Sequence, residues 1–275
     1  MVTIAVVQFQ IAQFEVAQNL AKMERFIQEA AAAHAQIIVF PEDVVTGPVS
    51  GNQAYVDFTG TYVKHFQQLA RRYGIAIVPG SIIEGTQDGW YNTAYYIDST
   101  GEIQGRYRKN NLWHPERSYL AAGDTVPVFE TAYGKVGLLI CWDLIFPEVF
   151  RSMVQQAVDI VICPSYWCFE DAGVGLQHDA NAEVNAVNAL CTARAFENEI
   201  ALVFVNAASA PHDDSAVEHL VGRSQIAVPF KATLQRLDHN NEAMFIQTLE
   251  TGILKDAETA YTIRDDLARA RRVAR

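Results

Sequence analysis

The sequence predicts an α/β fold, with one mixed sheet or two packed sheets. Three observations point there: short apolar runs rich in β-branched residues, helix-spaced segments between several of them, and stretches that read as antiparallel hairpins.

The apolar runs are IAVVQF (4–9), QIIVF (36–40), IAIVPG (75–80), KVGLLIC (135–141), DIVIC (159–163) and IALVFVNA (200–207). Their length and their Val and Ile content suit buried strands. The segments 15–34, 61–73, 147–156 and 179–197 hold Ala, Gln, Glu and Leu, with apolar positions three or four apart, and read as helices. NTAYYID and EIQGRYRK flank Ser99-Thr100-Gly101 as two strands flank a turn, which predicts a hairpin over 90–109. SQIAVPF, TLQRLD and AMFIQTLE near 224–249 have the same hairpin character. The loop at 208–222 is the most polar and irregular region, as suits a mobile surface element.

No repeat, low-complexity segment or long linker divides the chain, so a single domain over 1–275 is expected, with a C-terminal tail from about 255. Arg269, Arg271, Arg272 and Arg275 in that tail read as a solvated ending. Half of the 275 residues are apolar, yet no run approaches the ~20 apolar residues of a membrane span. The N-terminus lacks a basic region leading into an apolar core, so the expectation is a soluble, cytoplasmic protein.

A net charge of −11 opposes binding to nucleic acid or to an anionic membrane and points to small molecules as ligands. The four cysteines, Cys141, Cys163, Cys168 and Cys191, are too few and too irregular for a disulfide framework and read as reduced thiols. Cys163 and Cys168 have no second pair or His cluster at ligand spacing, so no metal is expected.

In GLLICWDLIFPE an apolar strand delivers Cys141 to a corner, and Pro147 stands where the next helix would begin. A thiol there can face a cleft while the N–H of Trp142 points toward an oxyanion. A lone cysteine at a strand end is nevertheless more often a packing residue. Glu42 directly follows the strand IIVF, at the strand end where α/β sheets place ligands, and an exposed loop acid is the alternative. Lys109 closes EIQGRYRK and taken alone is a surface lysine. Trp113, His114, Tyr166 and Trp167 flank these segments and could wall a pocket.

Together the segments say more. FPE at 40–42, YRK at 107–109 and CWD followed by FPE at 141–148 resemble, in order, the three signature segments of the nitrilase superfamily of carbon–nitrogen hydrolases. AAGDTVPVFET, DIVICPSYW, TARAFENEIALVFVNA and GRSQIAVP extend the likeness from about residue 2 to about residue 250.

The resemblance implies a four-layer α-β-β-α sandwich with two mixed sheets. It also implies a cofactor-free amide hydrolase with Cys141 as nucleophile and Glu42 as proton carrier. Lys109 and the Trp142 N–H would hold the oxyanion while the acyl group passes through a thioester. An adjacent ammonium and base would correct the weak ionisation of a free thiol. Glu116 stands near the place of a second glutamate that holds the lysine in many members. Asp143 after Cys-Trp resembles the amidase and carbamoylase branches, where nitrilases usually carry Glu. Ile145 replaces an arginine common in the family, which removes one anion-binding group from the cleft region.

An N-carbamoyl amidohydrolase or a nitrilase using the same residues is the nearest alternative. A catalytically silent scaffold is the alternative of another class, and a metal-dependent hydrolase lacks His-rich spacing. The family usually pairs through a helical face, so a homodimer or higher oligomer is expected.

Overall fold

A computed structural model describes residues 1–209 and 219–273, with side chains through 269. Most of the loop expected at 208–222, and the side chains of Arg271, Arg272 and Arg275, lie outside the described residues. The first half of the chain runs β1 (Val2–Gln8), α1 (Val16–Ala32), β2 (Ile37–Val39), α2 (Thr61–Tyr73), β3 (Ala76–Val78), β4 (Ser81–Thr86), β5 (Gly89–Ile97) and β6 (Ile103–Arg108). Then come β7 (Val128–Thr131), β8 (Gly134–Leu138), α3 (Pro147–Val154), β9 (Ile160–Ser165), α4 (Ala182–Asn198) and β10 (Ala201–Asn206). The remainder holds β11 (Gln225–Val228), β12 (Ala232–Arg236), β13 (Ala243–Leu249), α5 (Gly252–Tyr261) and α6 (Ile263–Val273).

The strands form two mixed sheets, ordered β13-β1-β2-β3-β5-β4, with β6 beside β5, and β12-β11-β10-β9-β8-β7. In each sheet the central strands are parallel: β1, β2 and β3 in one and β8, β9 and β10 in the other. Alternation along β1 shows how the layers stack. Val2, Ile4 and Val6 enter the core shared with the second sheet. Ala5 and Val7 pack with Met23 and Ile27 of α1 and Val63 and Phe66 of α2. On the far side, Phe150 and Met153 of α3 and Val187 and Cys191 of α4 close the second sheet. This is the α-β-β-α sandwich that the resemblance implied.

The hairpin over 90–109 forms, with Thr93 opposite Arg108 and Ala94 opposite Tyr107. The expected hairpin series near 224–249 holds only for β11 and β12. The third segment, β13, leaves for the other sheet and pairs antiparallel with β1, Val2 opposite Leu249. The chain from about 255, expected as a tail, is helical instead. Leu254 and Ala257 are buried, and the Glu199 carboxylate accepts the N–H of Ile263 at the start of α6. The Arg264 guanidinium donates to the carbonyls of Val158, Asn198 and Glu199. Among the described residues no helix is long and apolar enough to cross a membrane.

Candidate active site

Glu42 follows β2 by way of Phe40, whose N–H donates to Val78 O, and Pro41. Its own N–H donates to Ser165 O, the last residue of β9, so the glutamate is suspended between the two sheets. Gly80 makes room for it. A Cβ at Gly80 would lie 1.7 Å from Pro41 O, and its φ of +69° belongs to the left-handed region.

Lys109 follows β6 and is fixed by its N–H to Asn92 O at 2.9 Å. The side chain runs inward and is 1 % exposed. Its ammonium donates to Glu42 Oε1 at 2.8 Å and to Glu116 Oε1 at 2.9 Å, and it lies 2.8 Å from Glu116 Oε2 in the same ion pair. Glu116 Oε2 also accepts the N–H of Trp113 at 2.7 Å, which ties the short turn over 116–118 back on itself. Glu42 receives two more bonds, from Asn92 Nδ2 at 2.8 Å and from Tyr166 N at 2.9 Å.

Cys141 lies beyond the end of β8, as the first residue of a 3₁₀ turn over Cys141–Ile145, and α3 then starts at Pro147. Its φ is +47°, a left-handed conformation unusual for a side-chain-bearing residue and typical of strained functional corners. Asp143 holds this corner. Its Oδ2 accepts from Ile140 N and Tyr107 Oη, and its Oδ1 accepts from the backbone and side-chain nitrogens of Asn111. The residue that served as a branch marker in the sequence thus joins the cysteine turn to the segment carrying Lys109.

Glu42, Lys109, Cys141 and Glu116 all border one cleft, with a cavity volume of about 130 Å³. Trp113, Trp142, Tyr166 and Trp167 border it as well. The Trp142 ring lies 4.3 Å from that of Trp113 and 5.8 Å from that of Trp167, forming one aromatic wall. His114 is placed differently: it is exposed, does not border the cleft, and rests against Trp113 at 4.1 Å. Cys163 and Cys191 pack in the core. Cys168 reaches the cleft edge.

Burial dominates the electrostatics. Desolvation raises Glu42 above the usual carboxylate range, against the pull of Lys109. Lys109 is itself desolvated, but Glu42 and Glu116 more than compensate and hold it firmly charged. The Cys141 thiol is pushed well up by burial and by Glu42, with Lys109 opposing. Burial and Glu42 thus oppose the ionisation of Cys141 that the ammonium favours.

Asn92, Asp43 and Tyr107 were missing from the sequence candidates. Asp43 directly follows FPE at 40–42, and Tyr107 lies inside EIQGRYRK. Asn92, a buried amide within β5, carried a signal only in its polarity.

The carbon–nitrogen hydrolase family model matches residues 3–255. A protein of Schizosaccharomyces pombe named probable nitrilase C965.09 is 30 % identical over 266 residues, covering 94 % of this chain and 92 % of its own. Among solved structures, Nit3 of Saccharomyces cerevisiae, a member of the nitrilase superfamily, superposes with a TM-score of 0.82 at 21 % identity, over 94 % of both chains. A mutant of the Nesterenkonia AN1 amidase from the same superfamily superposes at 0.79 and 22 % identity, over 93 % of both chains. The chain belongs to the carbon–nitrogen hydrolase family of the nitrilase superfamily and is a carbon–nitrogen hydrolase.

Proposed function

We propose that this enzyme hydrolyses a small amide through a thioester on Cys141. The observation that carries the reading is the Lys109 ammonium, sealed from water and shared between Glu42 and Glu116 on the cleft that Cys141 borders. Such a buried cation is costly without function, since its two carboxylates must be desolvated with it.

In this reading the carbonyl oxygen of the amide lodges near Lys109 and the N–H of Trp142. Glu42 takes the Cys141 proton as sulfur attacks, so no free thiolate is stored beforehand. The raised Glu42 carboxylate is the better base for that burial. Glu42 then hands its proton to the departing nitrogen, and ammonia or amine leaves. A water deprotonated by Glu42 attacks the thioester and frees the acid. Glu116 holds the ammonium against Glu42 and does not touch the reacting atoms. Asp143 after Cys-Trp supports an amide rather than a nitrile as substrate.

The test is mass spectrometry of enzyme quenched during turnover of a panel of simple amides, N-carbamoyl compounds and nitriles, with ammonia and CO₂ measured in parallel. An acyl mass on the peptide holding Cys141 is expected with amides. Turnover with no adduct on any quench timescale, retained in Cys141→Ala, would defeat the reading.

The same reading extends to a cytoplasmic homodimer built from a single domain. Support comes from the core shared by both sheets, from the free thiols of Cys141, Cys163 and Cys191, and from the exposed rings of Phe196, Phe230 and Tyr261, which pack on one another. Light scattering checks the dimer.

A further inference from the structure

We infer that the cleft selects small amides carrying a protonated amine, and that Asp43 is the specificity-determining residue that supplies the counter-charge. The inference deepens the amide-hydrolase reading and rests on it for the reaction.

Four carboxylates border the cleft: Glu42, Asp43, Glu116 and Asp171. Among the described residues bordering it, Lys109 is the one lysine or arginine, and its ammonium is already shared by Glu42 and Glu116. No such cation remains there to receive a carboxylate substrate. Asp171 Oδ2 accepts the N–H of Cys168.

Asp43 stands apart. It is 7 % exposed, and its Oδ1 has no hydrogen-bond partner among the described residues. A buried carboxyl oxygen without a donor is costly, and such groups persist mainly where they have a use. Holding the local turn is not that use. The backbone does so, through Thr46 N and Gly47 N to Asp43 O, and through Asp43 N to Ser81 Oγ.

Burial, with Glu42 and Glu116 nearby, pushes the Asp43 carboxyl well up and favours its protonated form. A ligand ammonium reverses that balance by offering opposite charge at short range. Tyr119, beside Asp43 on the cleft wall, and the tryptophans add ring faces that attract cations. The chain's net charge of −11 draws the same ligands by long-range steering.

The test compares an ω-aminoamide, its methyl-ended isostere and an ω-carboxyamide of the same length. Wild-type kcat/KM is expected to favour the aminoamide over the neutral isostere by about tenfold or more, the scale of one buried charge contact, with the carboxyamide poorest. In Asp43→Asn the amino-to-neutral ratio falls by a similar factor, whatever happens to the overall rate. A wild-type ratio near one, or a ratio unchanged in Asp43→Asn, overturns the inference.

Calorimetric titration of wild-type enzyme with butylammonium and with butanol provides an arm that needs neither turnover nor a folded variant. The ammonium is expected to bind and the alcohol not. If amides are hydrolysed without regard to charge and butylammonium does not bind, the selection fails and the reaction reading stands. If butylammonium binds but no amide is turned over, the reaction reading fails and the cation preference stands.

Discussion

The hydroxyl of Tyr107 donates to Oδ2 of Asp143 over 2.8 Å, joining the strand that leads to Lys109 to the turn that starts at Cys141. Both groups are buried, so the bond is shielded from competing water. Tyr107→Phe is expected to lower stability by about 1–3 kcal/mol, because Asp143 loses a donor without access to solvent. The turn should loosen relative to the ammonium, so kcat should fall more than KM rises. Thermal melts and steady-state kinetics on one preparation check both.

Cys141→Ala is expected to fold, to melt within about 1 kcal/mol of wild type, and to show no turnover, since a small thiol is removed without touching the ion pairs. The measurements are a melting curve and ammonia release over long incubation. Residual activity comparable to wild type would remove the nucleophile from the mechanism.

Glu42→Gln and Glu116→Gln separate the two carboxylates on Lys109. Loss of the proton carrier should lower kcat by about 10²–10⁴, the usual range for general acid–base groups. Loss of the tether should cost less, on the order of 10-fold to 10²-fold, as for residues that orient a catalytic group. Comparable loss of kcat in both variants would deny Glu42 its special role.

The pH profile follows from the same burial. Glu42 must be ionised to take the thiol proton, and it lies above its ordinary value of 4.5. Activity should therefore fall with acidification through a pH above that value. On the alkaline side Lys109 lies well above its ordinary 10.5, so its deprotonation should not limit activity below that point. The acidic limb should vanish from whatever activity Glu42→Gln retains. Measuring kcat/KM against pH for both proteins checks the assignment.

Asp57 offers a test away from the chemistry. Its oxygens accept from the N–H groups of Thr59, Thr61 and Tyr62 at the start of α2. Burial alone would raise its carboxyl, but those bonds together hold it below the ordinary 3.8. A depressed carboxylate contributes stability above its unfolded value and loses it as pH falls through the folded one. Asp57→Asn should thus cost about 1–2 kcal/mol near neutral pH, with the gap closing below 3.8. Denaturant melts at both pH values measure it.

Glu42 and Cys141 were legible because each follows a strand whose apolar run is plain, whereas Lys109, closing the largely polar EIQGRYRK, was legible only through the order of the three signature segments. Asn92 could not. Its contact with Glu42 depends on β5 lying beside β3 and β3 beside β2, which no local pattern reveals. The strands β4 and β7 escaped notice because SIIEGT and VFET are short and half polar. The helices α5 and α6 were read as a tail because their anchoring comes from distant groups, Glu199 on Ile263 N and the carbonyls around Arg264. Asp143 and Asp43 were visible as letters, but their burial and bonding belong to the tertiary structure.

The pairing of β13 with β1 also governs how the protein is made. The hydroxyls of Thr3 and Thr248, 245 positions apart, meet across those strands. As the chain leaves the ribosome, β2 becomes available to β1 early, but the other edge of β1 stays open until the chain 245 positions further on has been made. That open edge is a template for pairing with another nascent chain, and contacts of such long sequence separation form slowly. Yield on overexpression should depend on keeping β1 shielded until β13 arrives, which slower translation or lower temperature would favour.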